Sequence, residues 1–268
     1  MSSFFIFVTM RMNPIGIFDS GAGGLSIWRE INVLMPKEST VYISDSKYAP
    51  YGPKGEEFIR LRAIANTEWL IENGAKIIVV ACNTATTNAI SYLRNQYDLP
   101  FIGIEPAIKP AALKSTNNAI GILATKGTLS SSLFHETSAR YTRNMTVVEQ
   151  VGDGIVELIE SGKLYSNEMK TLLMSYLTPM LEQHIDCLVL GCTHYHFLTP
   201  ILKELIPKEV TIIDSGAAVA RQTHNILVEN NLINASDGDT SNEFYTNGSK
   251  EVMANLLKID PSDVKLWG

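Results

Sequence analysis

The sequence predicts an α/β fold made of two pseudo-symmetric, doubly wound domains with mainly parallel sheets. Three observations predict it. Short apolar runs alternate with helical patterns along most of the chain, which is the signature of βα units. Several of those runs are nearly continuous Ile, Val and Leu, as strands covered by helices on both faces must be. An imperfect internal repeat then divides the chain: Ile15-Gly16-Ile17-Phe18-Asp19-Ser20-Gly21 resembles Ile120-Gly121-Ile122-Leu123-Ala124-Thr125-Lys126-Gly127. Each copy is followed, at a similar offset, by a strand that ends in cysteine, Cys82 in one case and Cys192 in the other.

The elements follow in chain order. Strands are expected at Ile15–Phe18, Thr40–Ser44, Ile77–Ala81, Ile102–Ile104, Ile120–Leu123, Thr146–Glu149, Cys187–Gly191 and Val210–Ile213. An amphipathic helix is expected over Glu56–Asn73, where Phe58, Arg62, Ala65 and Trp69 recur at helical spacing. At roughly 150 residues per domain, 268 residues suit two domains. A composition of 45% apolar and 19% charged residues excludes disordered and fibrous classes. The net charge of -6 gives no basis for a nucleic-acid or anionic-membrane partner. No apolar run approaches the ~20 residues of a membrane helix. Phe4–Met10 lacks both a cationic n-region and a cleavage site, so residues 1–12 read as an N-terminal extension, with Met10 or Met12 as alternative starts. Three cysteines cannot all pair within one chain, which points to a reducing, cytoplasmic setting and free thiols.

Cys82 and Cys192 lie just beyond the carboxyl ends of buried parallel strands, where open α/β sheets bind ligands. Asn83 and Thr84 follow the first and Thr193 the second, so each thiol precedes residues suited to cap a helix, whose N–H groups can bind a carboxylate or stabilise a thiolate. One such cysteine is more often a small core residue; a matched pair is not. Cys187, Cys192, His194 and His196 are too scattered for a metal site, because strand alternation turns Cys187 and Cys192 to opposite faces, and Cys187 is assigned to the core with no metal expected. Asp19-Ser20-Gly21-Ala22-Gly23-Gly24 lacks a complete nucleotide fingerprint. Its glycines are expected to allow a tight turn and close approach to a small ligand, with Asp19 at the strand tip. Asp45 to Pro53 reads as a loop over the same end of the sheet. His194 stands where it can tune Cys192 or donate a proton; His135, His184, His196 and His224 have no such context.

These residues resemble the cofactor-independent glutamate racemases. The resemblance is carried by Pro14–Gly21, Tyr51-Gly52, Ala81-Cys82-Asn83-Thr84-Ala85-Thr86, Ile104-Glu105-Pro106-Ala107 and Gly191-Cys192-Thr193-His194-Tyr195, and it extends from Asn13 to about Gly248. It implies two-thiol proton transfer at an interdomain cleft, with Cys82 serving D-glutamate and Cys192 serving L-glutamate, assisted by Asp19 and His194. Ser20, Tyr51, Gly52, Asn83, Thr84 and Thr193, with Asp19 and His194, match positions that hold the substrate, and Glu160 and Asp45 match auxiliary acids. No cofactor, a homodimer, and D-glutamate supplied to peptidoglycan are further implications. The expected division is residues 1–102 with 211–268 as the first domain and 103–210 as the second. Gly55 and Asn247-Gly248-Ser249 depart from the family pattern. The competing readings are an aspartate racemase or related cysteine isomerase, a two-lobed solute-binding module without catalysis, and a cysteine hydrolase, for which a second equivalent thiol has no use.

Overall fold

The computed structural model describes residues 12–234 and 239–268, so the expected extension over 1–12 lies, Met12 apart, outside the described residues. Ten strands are present: β1 (Ile15–Asp19), β2 (Thr40–Ser44), β3 (Ile77–Val80), β4 (Phe101–Gly103), β5 (Ala119–Ala124), β6 (Thr146–Val151), β7 (Cys187–Gly191), β8 (Thr211–Ile213), β9 (Asn242–Thr246) and β10 (Val264–Leu266). They form a six-stranded sheet in the order β10-β9-β2-β1-β3-β4 and a four-stranded sheet in the order β6-β5-β7-β8. Every neighbouring pair is parallel. The run β2-β1-β3-β4 therefore has the same order as β6-β5-β7-β8, and the repeat in the sequence is a repeat of topology.

Alternation along each strand explains how both faces come to be covered. Ile15, Ile17, Ile77 and Val79 enter one core with the helix Leu25–Leu34, whereas Phe18, Ile78 and Val80 enter another with Ile59, Ala63 and Leu70 of the helix Glu56–Glu72. The smaller sheet divides in the same way. Ile120, Ile122, Cys187 and Val189 pack on one side, and Leu188, Leu190 and Cys192 on the other. The alternation that sends Cys187 and Cys192 to opposite faces is thus present in the fold. Among the described residues, no helix is long and apolar enough to cross a membrane.

The chain passes from the large sheet to the small one after β4 and returns after β8, where the helix Gly216–Glu229 packs Val219, Ala220 and Leu227 into the core of the first sheet. Sheet membership therefore places β8 with the second half, whereas the expected boundary at 210/211 assigned it to the first; the backbone pairing of Cys187 with Thr211 fixes it there. The Ser215 hydroxyl donates to the Glu105 carbonyl and ties the two crossings together. The eight expected strands are all present, with ends shifted by a residue or two. β9 and β10 were not expected. β9, Asn-Glu-Phe-Tyr-Thr, is half polar, and β10 is a three-residue edge strand.

At the amino ends of the strands, Lys76 Nζ lies 2.6 Å from Glu38 Oε2 with both side chains almost fully buried, and the Asn234 amide donates to Glu38 Oε1 at 2.7 Å. Breaking such a pair strands a charge in the interior. Lys76→Met is expected to cost about 3–5 kcal/mol of stability, read as a fall in the urea midpoint at unchanged slope. A loss indistinguishable from zero would show that the pair is not what holds Glu38.

Candidate active site

The carboxyl ends of the two sheets bring the sequence-picked residues together. β1 ends in Asp19, β2 leads into Asp45, and Cys82 and Cys192 follow β3 and β7. Both thiols are free and nearly sealed, at 4% and 6% exposure. Cys192 is the last and smallest of the influences on Cys82, after burial and Asp19, so the two thiols lie within electrostatic reach of each other.

Their surroundings differ. Cys82 is the N-cap of the helix Asn83–Gln96: the Ala85 amide donates to its Sγ at 3.3 Å, and the thiol donates to Ser20 Oγ at 3.4 Å. Burial, and then the Asp19 charge, push the Cys82 thiol far above its ordinary value, and the Ser20 and Ala85 contacts offset this only in part. Cys192 precedes a 3-10 turn over Thr193–Leu198, and its Sγ faces His194 Nδ1 at 3.8 Å.

Asp19 is fully buried between the halves. Its Oδ2 accepts from the Gly24 amide at 2.6 Å and from the Thr193 hydroxyl at 3.2 Å, while Oδ1 accepts from the Ser20 amide at 2.8 Å. Burial raises its carboxyl above the ordinary value against the pull of the His194 charge and these amides. Glu160, at the end of the helix Ile155–Glu160, crosses from the second half. Its Oε1 accepts from His194 Nε2 and from the Ala22 amide, both at 2.6 Å, and Oε2 accepts from Ser46 Oγ at 2.7 Å. Burial opposes both charges, yet the partners win: Cys192 and then Glu160 hold His194 well above the ordinary imidazole value, and His194 with the Ala22 amide and the Ser46 hydroxyl holds Glu160 below the ordinary carboxylate value. The glycine loop was expected to approach a ligand. At Gly21 and Gly23 it instead approaches Glu160 and His194, so closely that a Cβ at either position would collide with those side chains.

The remaining candidates divide in two. Asn83, 3% exposed, has neither amide atom partnered. The Thr84 hydroxyl lies 2.8 Å from that of Thr125 and 3.3 Å from that of Thr128, so three hydroxyls meet where the halves face each other, with Gly52 packed against Thr125. The Tyr51 phenol is committed to Asp45, to which Arg62 also binds. Asp45 thus supports the loop through Tyr51 and Arg62. Thr125, Thr128 and Ser46 were missed by sequence reasoning. Thr125 had a signal, since it occupies the position of Ser20 in the repeat. Ser46 had none, because its partner is 114 residues away. Among the described residues, no group of three or more His, Cys, Asp or Glu side chains is gathered to hold a metal ion.

Comparison with known proteins agrees with this geometry. The family model described as Asp/Glu/Hydantoin racemase matches residues 19–223. A glutamate racemase of Stutzerimonas stutzeri is 45% identical over 256 residues, covering 95% of this chain and 94% of the relative. One from Pseudomonas aeruginosa is 45% identical over 255 residues, with coverage of 95% and 94%. The crystal structure of Escherichia coli glutamate racemase in complex with L-glutamate and the activator UDP-MurNAc-ala superposes with a TM-score of 0.83 at 33% identity, over 95% of this chain and 97% of that one. Matched over residues 19–223 by the family model and over 95% of its length by a relative 45% identical to it, the chain belongs to the Asp/Glu/Hydantoin racemase family.

Proposed function

We propose that this racemase interconverts L-glutamate and D-glutamate by a two-thiol proton transfer. The observation that carries the reading is the placement of one thiol at the same strand tip in each of two repeated, facing halves. Racemisation removes a weakly acidic α-proton and returns one to the opposite face, so a planar carbanion must be met from both sides. Cys192 as thiolate takes the proton of L-glutamate, and Cys82 as thiol supplies one to the other face. Turnover ends with the two protonation states exchanged, ready for the reverse reaction.

The asymmetric surroundings suit this sequence of events. Burial and Asp19 favour the protonated form of Cys82, and His194, raised by Cys192 and Glu160 together, stands beside Cys192 as its proton partner. The unpartnered Asn83 amide and the Ser20 hydroxyl offer donors to the α-carboxylate, where carbanion charge develops and where preorganised donors are worth most. Thr84, Thr125 and Thr128 offer hydroxyls to a carboxylate. The reading requires no cofactor, and it places the enzyme in the cytoplasm, as a homodimer, supplying D-glutamate for peptidoglycan. Similarity to relatives named as glutamate racemases supports glutamate over aspartate.

Metal-free and cofactor-free enzyme, given either enantiomer of glutamate and followed by circular dichroism, is expected to reach an equal mixture while leaving aspartate essentially unchanged. An inert enzyme that pyridoxal phosphate activates would overturn the reading.

Removing either thiol is expected to lower racemisation by about 10²–10⁴-fold. In deuterated water, Cys192→Ala is expected to retain slow α-exchange of D-glutamate, and Cys82→Ala that of L-glutamate, each returning mainly the enantiomer supplied. Near-native racemisation by either variant eliminates the mechanism; a reversed preference overturns the assignment of faces.

The Glu160–His194 pair also predicts a pH response. His194 is raised above its unfolded value of 6.5, so its stabilisation is complete below that pH and is lost as pH rises through the raised value. Glu160 is lowered below 4.5, so its contribution is present above that pH and is lost as pH falls through the lowered value. Glu160→Gln removes a charge in direct contact with His194 and is expected to move the alkaline limb of kcat/KM about 1–3 units toward lower pH. The limb should move equally for both enantiomers, whose interconversion has an equilibrium constant of unity. Its thermal stability should fall below that of the parent at pH 6 and converge with it at acid pH. An unmoved limb would disconnect Glu160 from the proton inventory.

A further inference from the structure

Asp45 is buried at the end of β2 and carries four side-chain bonds that the proton transfer does not use. Arg62 grips it from the helix Glu56–Glu72 with two parallel bonds, Nε to Oδ2 at 2.7 Å and Nη2 to Oδ1 at 2.8 Å. The Asn247 amide nitrogen donates to Oδ1 at 2.6 Å, and the Tyr51 phenol donates to Oδ2. The same Asn247 accepts the Lys47 amide through its Oδ1 at 2.9 Å, so this one side chain binds the loop at two points. The Arg62 guanidinium lies 4.3 Å from the Tyr48 ring centroid and 6.0 Å from that of Trp267, whose indole donates to the Ser44 carbonyl at 3.1 Å. The loop from Asp45 to Gly52 contains Ser46, which holds Glu160, and it ends at Gly52, packed against Thr125 where the three threonine hydroxyls meet.

We infer that Arg62 and Asn247 are positioning residues for the substrate, acting through Asp45 and Tyr51 to hold the Asp45–Gly52 loop against the threonine end of the cleft. A bidentate guanidinium–carboxylate pair fixes the direction of the carboxylate as well as its charge. With its remaining oxygen positions occupied by Asn247 and Tyr51, Asp45 locks both ends of the loop to one point of the large sheet. Neither Arg62 nor Asn247 bonds a thiol, His194 or Asp19, and of the three donors to Glu160 only Ser46 lies on this loop, so the loss should fall on binding more than on proton transfer.

The inference rests on the glutamate racemase reading, and the experiment separates the two. Steady-state kinetics with both enantiomers are compared for the parent enzyme, Arg62→Met, Arg62→Lys, Asn247→Ala, Tyr51→Phe and the Arg62→Met/Tyr51→Phe double variant. Arg62→Met is expected to raise KM about tenfold or more for both enantiomers with kcat within about threefold. Arg62→Lys should recover only part of the loss, because an ammonium cannot make the paired bonds. Asn247→Ala should raise KM about threefold, and it carries the test alone if Arg62→Met fails to fold. Since both partners act through Asp45, the double variant should be no worse than the more damaged single variant. An active parent whose variants keep their KM, lose kcat at unchanged KM, or combine additively overturns this inference alone. A parent that leaves glutamate unchanged overturns the activity reading and this inference with it.

Discussion

The carboxylate of Glu160 has to stay ionised inside the loops of the opposite half, and the geometry of the cleft follows from that requirement. Burying a charge costs several kcal/mol unless paired hydrogen bonds replace the lost water. Three donors do so here, the His194 ring, the Ala22 amide and the Ser46 hydroxyl, and two of the three come from the other sheet. To bring the Ala22 amide within reach, the loop after β1 must lie against His194 and Glu160, which only residues without a Cβ permit at 21 and 23. The same approach sets the Gly24 amide on Asp19 and lets Asp19 receive Thr193 from across the cleft. This largely buried charge thus ties the loop beyond one strand tip to the helix and histidine of the other half.

The halves share a strand order but no longer share a chemistry at their tips. At the first, Asp19 and a helix N-terminus surround Cys82; at the second, Ala124 occupies the position of Asp19, and His194 has entered beside Cys192. Enantiomers have equal free energy in water, so overall equilibrium sets no preference between the faces. A two-base reaction nevertheless needs one group protonated while the other is ionised, and identical surroundings would give neither thiol reason to differ. Divergence at the tips, on a conserved pair of sheets, supplies that difference.

Strand periodicity made most of this legible. The apolar runs located the eight central strands, and alternation within Cys187–Gly191 separated the core cysteine from the one at the tip. What stayed hidden depends on contacts between distant residues. β9 carries polar side chains at partly exposed positions and joins the sheet through backbone pairing with β2, which leaves no apolar pattern to read. Glu160 came only from family resemblance, since its partners at Ala22 and Ser46 are more than a hundred residues away. The loop glycines were recognised as sites of close approach, but the approaching group turned out to be the other half of the protein. Thr125 was visible in principle, in register with Ser20, but needed the three-hydroxyl cluster to give it meaning.

The sealed thiols raise the question of how a substrate enters, and the kinds of bond across the cleft bear on it. The ties seen there are polar: Glu160 with Ser46 and Ala22, Asp19 with Thr193, and Thr84 with Thr125. Apolar side chains that reach across, such as Leu133 and Phe197, are only partly buried, while the main apolar clusters line the faces of one sheet or the other. A hydrogen bond exchanged for water changes free energy by about 0.5–1.5 kcal/mol, whereas opening a packed core exposes apolar surface at about 25 cal/mol per Å². An interface of this composition is less costly to open than a packed core. Closure then restores a water-poor site in which the Glu160 charge, the imidazolium and the two thiols act on one another at low dielectric. The bonds that make opening inexpensive are therefore the same ones that, once remade, set the protonation states on which the proposed proton transfer depends.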